Sequence, residues 1–161
     1  MLNEKLQAAI NDQIRKELYS GYLYLAMSAY CEDEGWSGFA HWMREQAAEE
    51  QEHAMRLFDF INERGGRVVL QAIEQPPVEY GSLLELFEAV YEHEQKVTAS
   101  INQLYEMALD ADDYATQVEL QWFIEEQVEE EDSASEIVDM LEKIGDHING
   151  LVMLDGKLAG R

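Results

Sequence analysis

Apolar residues recur along the chain at alternating three- and four-residue steps, the spacing that lays one stripe along a helix and turns it toward a bundle core. In one segment the stripe reads Phe39, Met43, Gln46, Glu50, His53, Leu57 and Phe60. In the next it reads Leu84, Phe87, Tyr91, Glu94, Thr98, Ile101 and Tyr105, and in a further one Thr116, Leu120, Phe123, Gln127, Glu130, Ala134, Ile137, Leu141 and Ile144. Near the start, Ile10, Glu17, Tyr24 and Cys31 stand seven residues apart. Four amphipathic helices follow from these patterns.

Punctuation sets their limits. Segment A, about 3–34, is closed by Gly35, and segment B, about 36–64, by Gly65-Gly66, both glycine stops. Residues 67–81 contain Pro76-Pro77 and Gly81; they are too many for a tight turn and predict an extended crossover. Ser82-Leu83-Leu84-Glu85 is a capping box that opens segment C, about 82–110. Asp112 or Asp113 can cap segment D, about 113–144, and a short last piece, about 146–159, carries Leu151, Val152, Met153, Leu154 and Leu158. Helices of about 30 residues would be ~45 Å long. Short A–B and C–D links with a long B–C crossover describe an all-α four-helix bundle with a short fifth C-terminal helix, one domain over residues 1–161.

Each stripe is interrupted midway by ionisable or amide side chains: Glu17, Glu50, His53, Glu94, Gln127 and Glu130. Glu17 to Glu50 spans 33 residues and so does Glu94 to Gln127, while Glu50 to His53 and Gln127 to Glu130 are both three apart. Segments C–D therefore repeat A–B at an offset of 77. A bundle built this way has an approximate two-fold axis, and its polar residues converge near that axis. A lone polar residue on such a stripe is ordinarily a satisfied core group. Four carboxylates at matched depth are different, because buried carboxylates are costly unless neutralised, and no stripe position holds Lys or Arg. Two divalent cations would balance the charge. The ligand set is mostly oxygen with one imidazole, which suits iron or manganese.

Composition sharpens this picture. The chain has 11 Lys+Arg against 34 Asp+Glu, a formal charge of −23, which disfavours nucleic acid and anionic membrane surfaces as partners. Leu, Ile, Val and Phe supply 40 of 161 residues, enough for a packed core rather than disorder. From Val68 to Glu142, 20 acidic residues face a single base, Lys96. Cys31 is the only cysteine, so no intrachain disulfide can form and a reducing cytoplasm is the expected setting. The opening residues lack a basic stretch followed by an apolar one, and no apolar run nears ~18 residues.

Specific strings then carry a resemblance. Glu17-Leu18-Tyr19-Ser20 with Tyr22-Leu23-Tyr24-Leu25, Glu49-Glu50-Gln51-Glu52-His53-Ala54, Tyr91-Glu92-His93-Glu94 and Gln127-Val128-Glu129-Glu130-Glu131 together make the sequence similar to non-haem ferritins of the bacterial and archaeal type, over essentially its whole length. The resemblance implies a ferritin-like bundle and a di-iron centre in which Glu17, Glu50 and His53 hold the first iron. Glu94 and Glu130, with bridging Glu50, would hold the second, with Gln127 beside the pair. It also implies a third iron position on Glu49, Glu126 and Glu129 with Glu130 shared, although these three lie one residue off the stripe, where solvated carboxylates are ordinary. A ferroxidase is the implied activity, with dioxygen or hydrogen peroxide as oxidant and ferric mineral stored in a homo-oligomeric 24-subunit cage.

The departures from related patterns are informative. Segment D offers Gln127-x-x-Glu130 rather than a second Glu-x-x-His, and Gln51 stands where a bacterioferritin would carry its haem-ligating methionine. No haem is expected, and the absence of cysteine pairs argues against a rubrerythrin. Tyr24, two turns beyond Glu17, is either a core aromatic or, by resemblance, a source of an electron or hydrogen bond during oxygen reduction; Trp122 is a weaker candidate. His93 lies off the stripe, and His41 and His147 have no motif around them. The tail is packing material or, by resemblance, a lining of four-fold channels. Two other functions compete: a di-iron oxidase or peroxidase that removes peroxide with little storage, and a metal-free structural bundle, which leaves four stripe carboxylates unexplained.

Overall fold

Helix starts follow local capping chemistry. In the computed structural model, which describes residues 2–160, the Asn3 side chain accepts from the backbone N–H groups of Lys5 and Leu6 and opens α1, Glu4–Asp33. Helix α2 spans Ser37–Glu63, α3 Leu83–Asp110, α4 Tyr114–Ile144 and α5 Ile148–Leu158. Gly35, at φ +82°, makes the tight link from α1 to α2, a conformation that costs glycine little. Both bonds of the Ser82/Glu85 capping box are formed. Asp113, rather than Asp112, caps α4 by accepting from Thr116 N. No helix among the described residues is long and apolar enough to cross a membrane.

Helix α1 lies along α2 and α3 along α4; α1 also packs on α3, while α5 rests mainly on α2 and touches α4. The core is split in two. One apolar cluster gathers Leu23, Met27, Phe39, Met43, Phe87, Ile137, Leu141 and Leu154. The other gathers Leu6, Ile10, Leu57, Ile61, Ile101, Leu104, Leu120 and Phe123. Phe60 and Ile61, near the end of α2, belong to the second cluster, whereas Leu86 and Phe87, at the start of α3, belong to the first. The connection over residues 67–81 therefore runs the length of the bundle. It is fastened to α1: Asn11 Nδ2 donates to Arg67 O at 3.0 Å, Val69 N donates to Asn11 Oδ1 at 2.8 Å, and Arg67 N donates to Gln7 Oε1 at 3.0 Å.

The stripes expected for α2 and α4 are buried along their length, apart from half-buried Ile144 at the end of α4. On α3 the buried face is centred elsewhere. Leu86, Val90, Val97, Leu104 and Ala108 join Phe87, Glu94 and Ile101 inside, while Leu84, Tyr91, Thr98 and Tyr105 are half-buried. The buried face still repeats every seven residues, through Phe87, Glu94, Ile101 and Ala108 and through Val90, Val97 and Leu104; the Leu84, Tyr91, Thr98 and Tyr105 line lies on its flank.

Helix α5 is anchored by a device that local sequence does not reveal. Trp36 provides no side-chain cap for α2. Asp155 supplies one from α5, its Oδ1 accepting from Gly38 N at 2.8 Å and Phe39 N at 3.0 Å. A Cβ at Gly38 would lie 1.8 Å from the Asp155 carbonyl oxygen, so the missing side chain is what lets the two helices meet.

Candidate di-metal centre

Between the two apolar clusters lies one polar stratum. Helix α1 contributes Glu17, α2 contributes Gln46, Glu50 and His53, α3 contributes Glu94, and α4 contributes Gln127 and Glu130, all buried. Glu17, Glu50 and His53 offer ligand atoms within 4.8 Å of one another, and His53, Glu126 and Glu130 form a second such group. His53 belongs to both. Glu94 stands outside these groups; Tyr24 Oη donates to its Oε1 and Gln127 Nε2 donates to its Oε2 at 3.1 Å.

Hydrogen bonding distinguishes the carboxylates. Gln13 Nε2 donates to Glu17 Oε1 at 2.7 Å, and Gln46 Nε2 donates to Glu130 Oε2 at 2.7 Å. Glu17 Oε2 and both oxygens of Glu50 are buried without a hydrogen-bond partner, as is Gln46 Oε1, and Glu50 Oε2 lies 3.7 Å from His53 Nδ1. Orphaned buried acceptors are rare in folded proteins because each loses its water without compensation. A cluster of them on facing carboxylates, with no buried Lys or Arg among the described residues, fits a cation and fits little else.

The electrostatics agree. Burial, followed by the charges of Glu17 and Glu94, pushes the Glu50 carboxyl well above its ordinary range. Burial lifts Glu94 to about 7 against the lowering pull of its Tyr24 and Gln127 donors. Burial and Glu94 lift Glu130 to about 7, with Gln46 opposing. The Tyr24 phenol is held well above its usual value by burial and then by Glu94. Crowded acids of this kind bind a metal ion in exchange for protons.

An acidic groove of about 750 Å³ adjoins the stratum and is lined by Glu49, Glu126, Glu129 and Glu130 along with His53 and Trp122. Of the residues expected at a third iron position, Glu126 and Glu130 come together with His53, while Glu49 and Glu129 line the groove without joining that close group. Trp122 forms a wall behind the imidazole, its ring centroid 5.3 Å from that of His53, and the Arg56 guanidinium caps it at 4.1 Å.

Further residues take defined places. Tyr24 is buried with its hydroxyl on Glu94. His93 is half-buried, with Nε2 2.8 Å from Ser20 Oγ, and its ring meets that of Tyr24 edge-on at 6.1 Å. Burial drives its pKa down to about 4, so it is neutral at physiological pH. Cys31 is buried, with its thiol pushed up to about 12 by burial and then by Asp155. Gln13 was not singled out by the sequence, and Gln46 was read only as a stripe residue. The signal existed: each lies four residues before a stripe carboxylate, and the two are 33 apart, the interval that relates Glu17 to Glu50.

Comparison with known proteins accords with this geometry. A family model described as a ferritin-like domain matches residues 7–144. A bacterial non-heme ferritin of Bacteroides fragilis is 46% identical over 161 residues, covering 100% of both chains. One of Staphylococcus epidermidis is 42% identical over 161 residues, covering 100% of this chain and 97% of its own. Among solved structures, the open pore ferritin from the hyperthermophilic archaeon Archaeoglobus fulgidus superposes with a TM-score of 0.99 at 51% identity, covering 100% of this chain and 99% of that one.

Proposed function

This chain belongs to the ferritin family, and on that premise we propose that it is an iron-storage protein that oxidises Fe(II) at the polar stratum of its own bundle. The observation that carries the reading is the set of orphaned oxygens on Glu17 and Glu50 beside His53. They form a pocket of unsatisfied acceptors between the two apolar clusters, where a metal ion would replace the missing donors. In this reading Glu17, Glu50 and His53 receive the first Fe(II). Glu94 and Glu130 receive the second, with Glu50 bridging because it alone has both oxygens free of donors. Gln127 steadies Glu94, and the carboxylate-lined groove at Glu49, Glu126 and Glu129 offers a third position on the way out.

The reaction balances simply. Each of two Fe(II) ions loses one electron. Dioxygen takes the pair with two protons and becomes hydrogen peroxide, or hydrogen peroxide takes the pair with two protons and becomes two waters. Anionic oxygen ligands favour Fe(III) over Fe(II), which pulls the oxidation forward. Tyr24, hydrogen-bonded to Glu94, is placed to donate a hydrogen bond or an electron. A cytoplasmic 24-subunit cage would hold the ferric mineral. Self-association is supported by two apolar faces left open on the single chain: Tyr22, Leu25 and Val78 beside the crossover, and Ile148, Val152 and Met153 on α5.

The test adds Fe(II) aerobically to metal-free protein while ferric absorbance and particle mass are followed together, with a Glu50→Ala/His53→Ala variant beside it. The expected result is rapid oxidation and retained iron in a large particle, with the rapid phase lost in the variant. Equal oxidation by both proteins would place the chemistry elsewhere. Oxidation without retained iron would favour peroxide removal over storage.

A further inference from the structure

We propose that Gln13 is a positioning residue that limits Glu17 to a single metal-binding oxygen, and that Ser100 and Lys16 lock it in that role. The inference rests on the ferroxidase reading above and concerns how the first iron position is shaped.

Gln13 sits on α1 one turn before Glu17 and is buried. Its Nε2 donates to Glu17 Oε1 at 2.7 Å. Across the helix pair, the Ser100 hydroxyl on α3 donates to Gln13 Oε1 at 2.5 Å, and Lys16 Nζ lies 2.8 Å from the same Ser100 oxygen. Lys16 also pairs with Asp12 Oδ2 at 3.1 Å, which holds the ammonium at the head of the chain.

The direction of every bond in this chain is determined. An ammonium can only donate, so Lys16 gives a proton to Ser100 Oγ. The single Ser100 hydrogen is then free to point inward, where the carbonyl oxygen of Gln13 accepts it. The amide N–H faces Glu17 and donates to its Oε1. Lys16 thus acts on the amide orientation through one intervening group, the Ser100 hydroxyl.

The consequence falls on Glu17. Its Oε1 is engaged by the Gln13 amide, and its Oε2 is buried without a hydrogen-bond partner beside Glu50 and His53. A carboxylate turned this way would present Oε2 to a bound metal ahead of Oε1. The second half of the bundle lacks this device. At the offset of 77, Gln13 corresponds to Val90 and Gln46 to Phe123, both buried and apolar. Glu94, the counterpart of Glu17, is instead tied through both oxygens by Tyr24 and Gln127. The two halves thus support their carboxylates differently, and the two metal positions differ in outer support as well as in ligands.

The test uses Co(II), a redox-inert probe whose visible absorption reports coordination number. Metal-free wild-type protein and the variants Gln13→Met, Ser100→Ala and Glu17→Ala are titrated without oxygen, following the tightest binding event by calorimetry and by the Co(II) band. Methionine keeps the volume of Gln13 and removes its hydrogen bonds. Loss of such an outer partner typically weakens metal binding ~10–100-fold, and that is the expected effect of Gln13→Met, with a weaker Co(II) band as Glu17 becomes free to bind through both oxygens. Ser100→Ala should shift both readouts in the same direction by less. Wild-type affinity and band in Gln13→Met, with binding lost in Glu17→Ala, would overturn the role of Gln13 and leave the site standing. Wild-type behaviour in Glu17→Ala as well would overturn the reading of the site itself. If Gln13→Met does not fold, unchanged affinity and band in Ser100→Ala overturn the proposal.

Discussion

Glu50, Glu94 and Glu130 hold their protons more tightly than ordinary carboxylates because burial and mutual repulsion penalise the charged forms, Glu94 and Glu130 titrating near 7. A raised acid pKa stabilises the folded chain below the unfolded value of 4.5, and that contribution is lost as pH rises through about 7. Metal binding works in the opposite sense, since the ion displaces protons and binds more tightly as they leave. Calorimetric melting with and without excess Co(II) should therefore show a stabilisation by metal that grows between pH 5 and pH 7.5. A gap independent of pH would mean that the metal does not reside among these carboxylates. Tyr24 gives a second prediction. Tyr24→Phe removes one donor from Glu94, a loss of about 1 kcal/mol that weakens Fe(II) binding only several-fold, but it should slow oxidation by more than tenfold in stopped-flow absorbance. Unchanged oxidation kinetics would remove the phenol from the mechanism.

Among the helices, legibility depended on whether a contact is local. The Ser82/Glu85 capping box and the Asp113 cap involve residues three apart and could be read directly. The stripe on α2 could too, because its polar interruptions sit in register with its apolar residues. On α3 the seven-residue period held but one of its two lines did not: Val90, Val97 and Leu104 are buried, whereas Leu84, Tyr91, Thr98 and Tyr105 lie on the flank of that face, because several apolar lines compete on this helix. What no local pattern could show are the bonds between distant segments: Asn11 to the crossover, Gln46 to Glu130, and Asp155 to the start of α2. The last of these can be tested at this scale. Asp155→Ala should cost about 0.5–2 kcal/mol, the usual range for losing a cap, and should raise amide hydrogen exchange in α5 selectively. Gly38→Ala should free α5 further, since the added methyl group collides with backbone at Asp155. Wild-type protection of α5 in both variants would show that the helix is held by its apolar contacts alone.

At the scale of the whole molecule, the charge of −23 divides into a buried part and a surface part. Four carboxylates lie in the stratum between two apolar clusters, and the groove beside them carries others at its wall. The sequence already marked the stratum, because the 77-residue repeat places the polar interruptions of all four helices at one depth. It could not mark which oxygens are free, since that depends on amides such as Gln13 and Gln46 reaching neighbouring side chains. The apolar residues exposed on α1, the crossover and α5 offer surfaces for self-association, and under the proposed cage native mass spectrometry should find a particle of twenty-four 18.5 kDa subunits. A monomer at micromolar concentration would refute the cage. Under the proposed function, two iron ions bind inside the bundle. Crystals loaded with Fe(II) without oxygen, measured at the iron absorption edge, should give two neighbouring anomalous peaks, one among Glu17, Glu50 and His53 and one among Glu50, Glu94 and Glu130. Anomalous density confined to the outer surface or to the acidic groove, with none in the stratum, would contradict it.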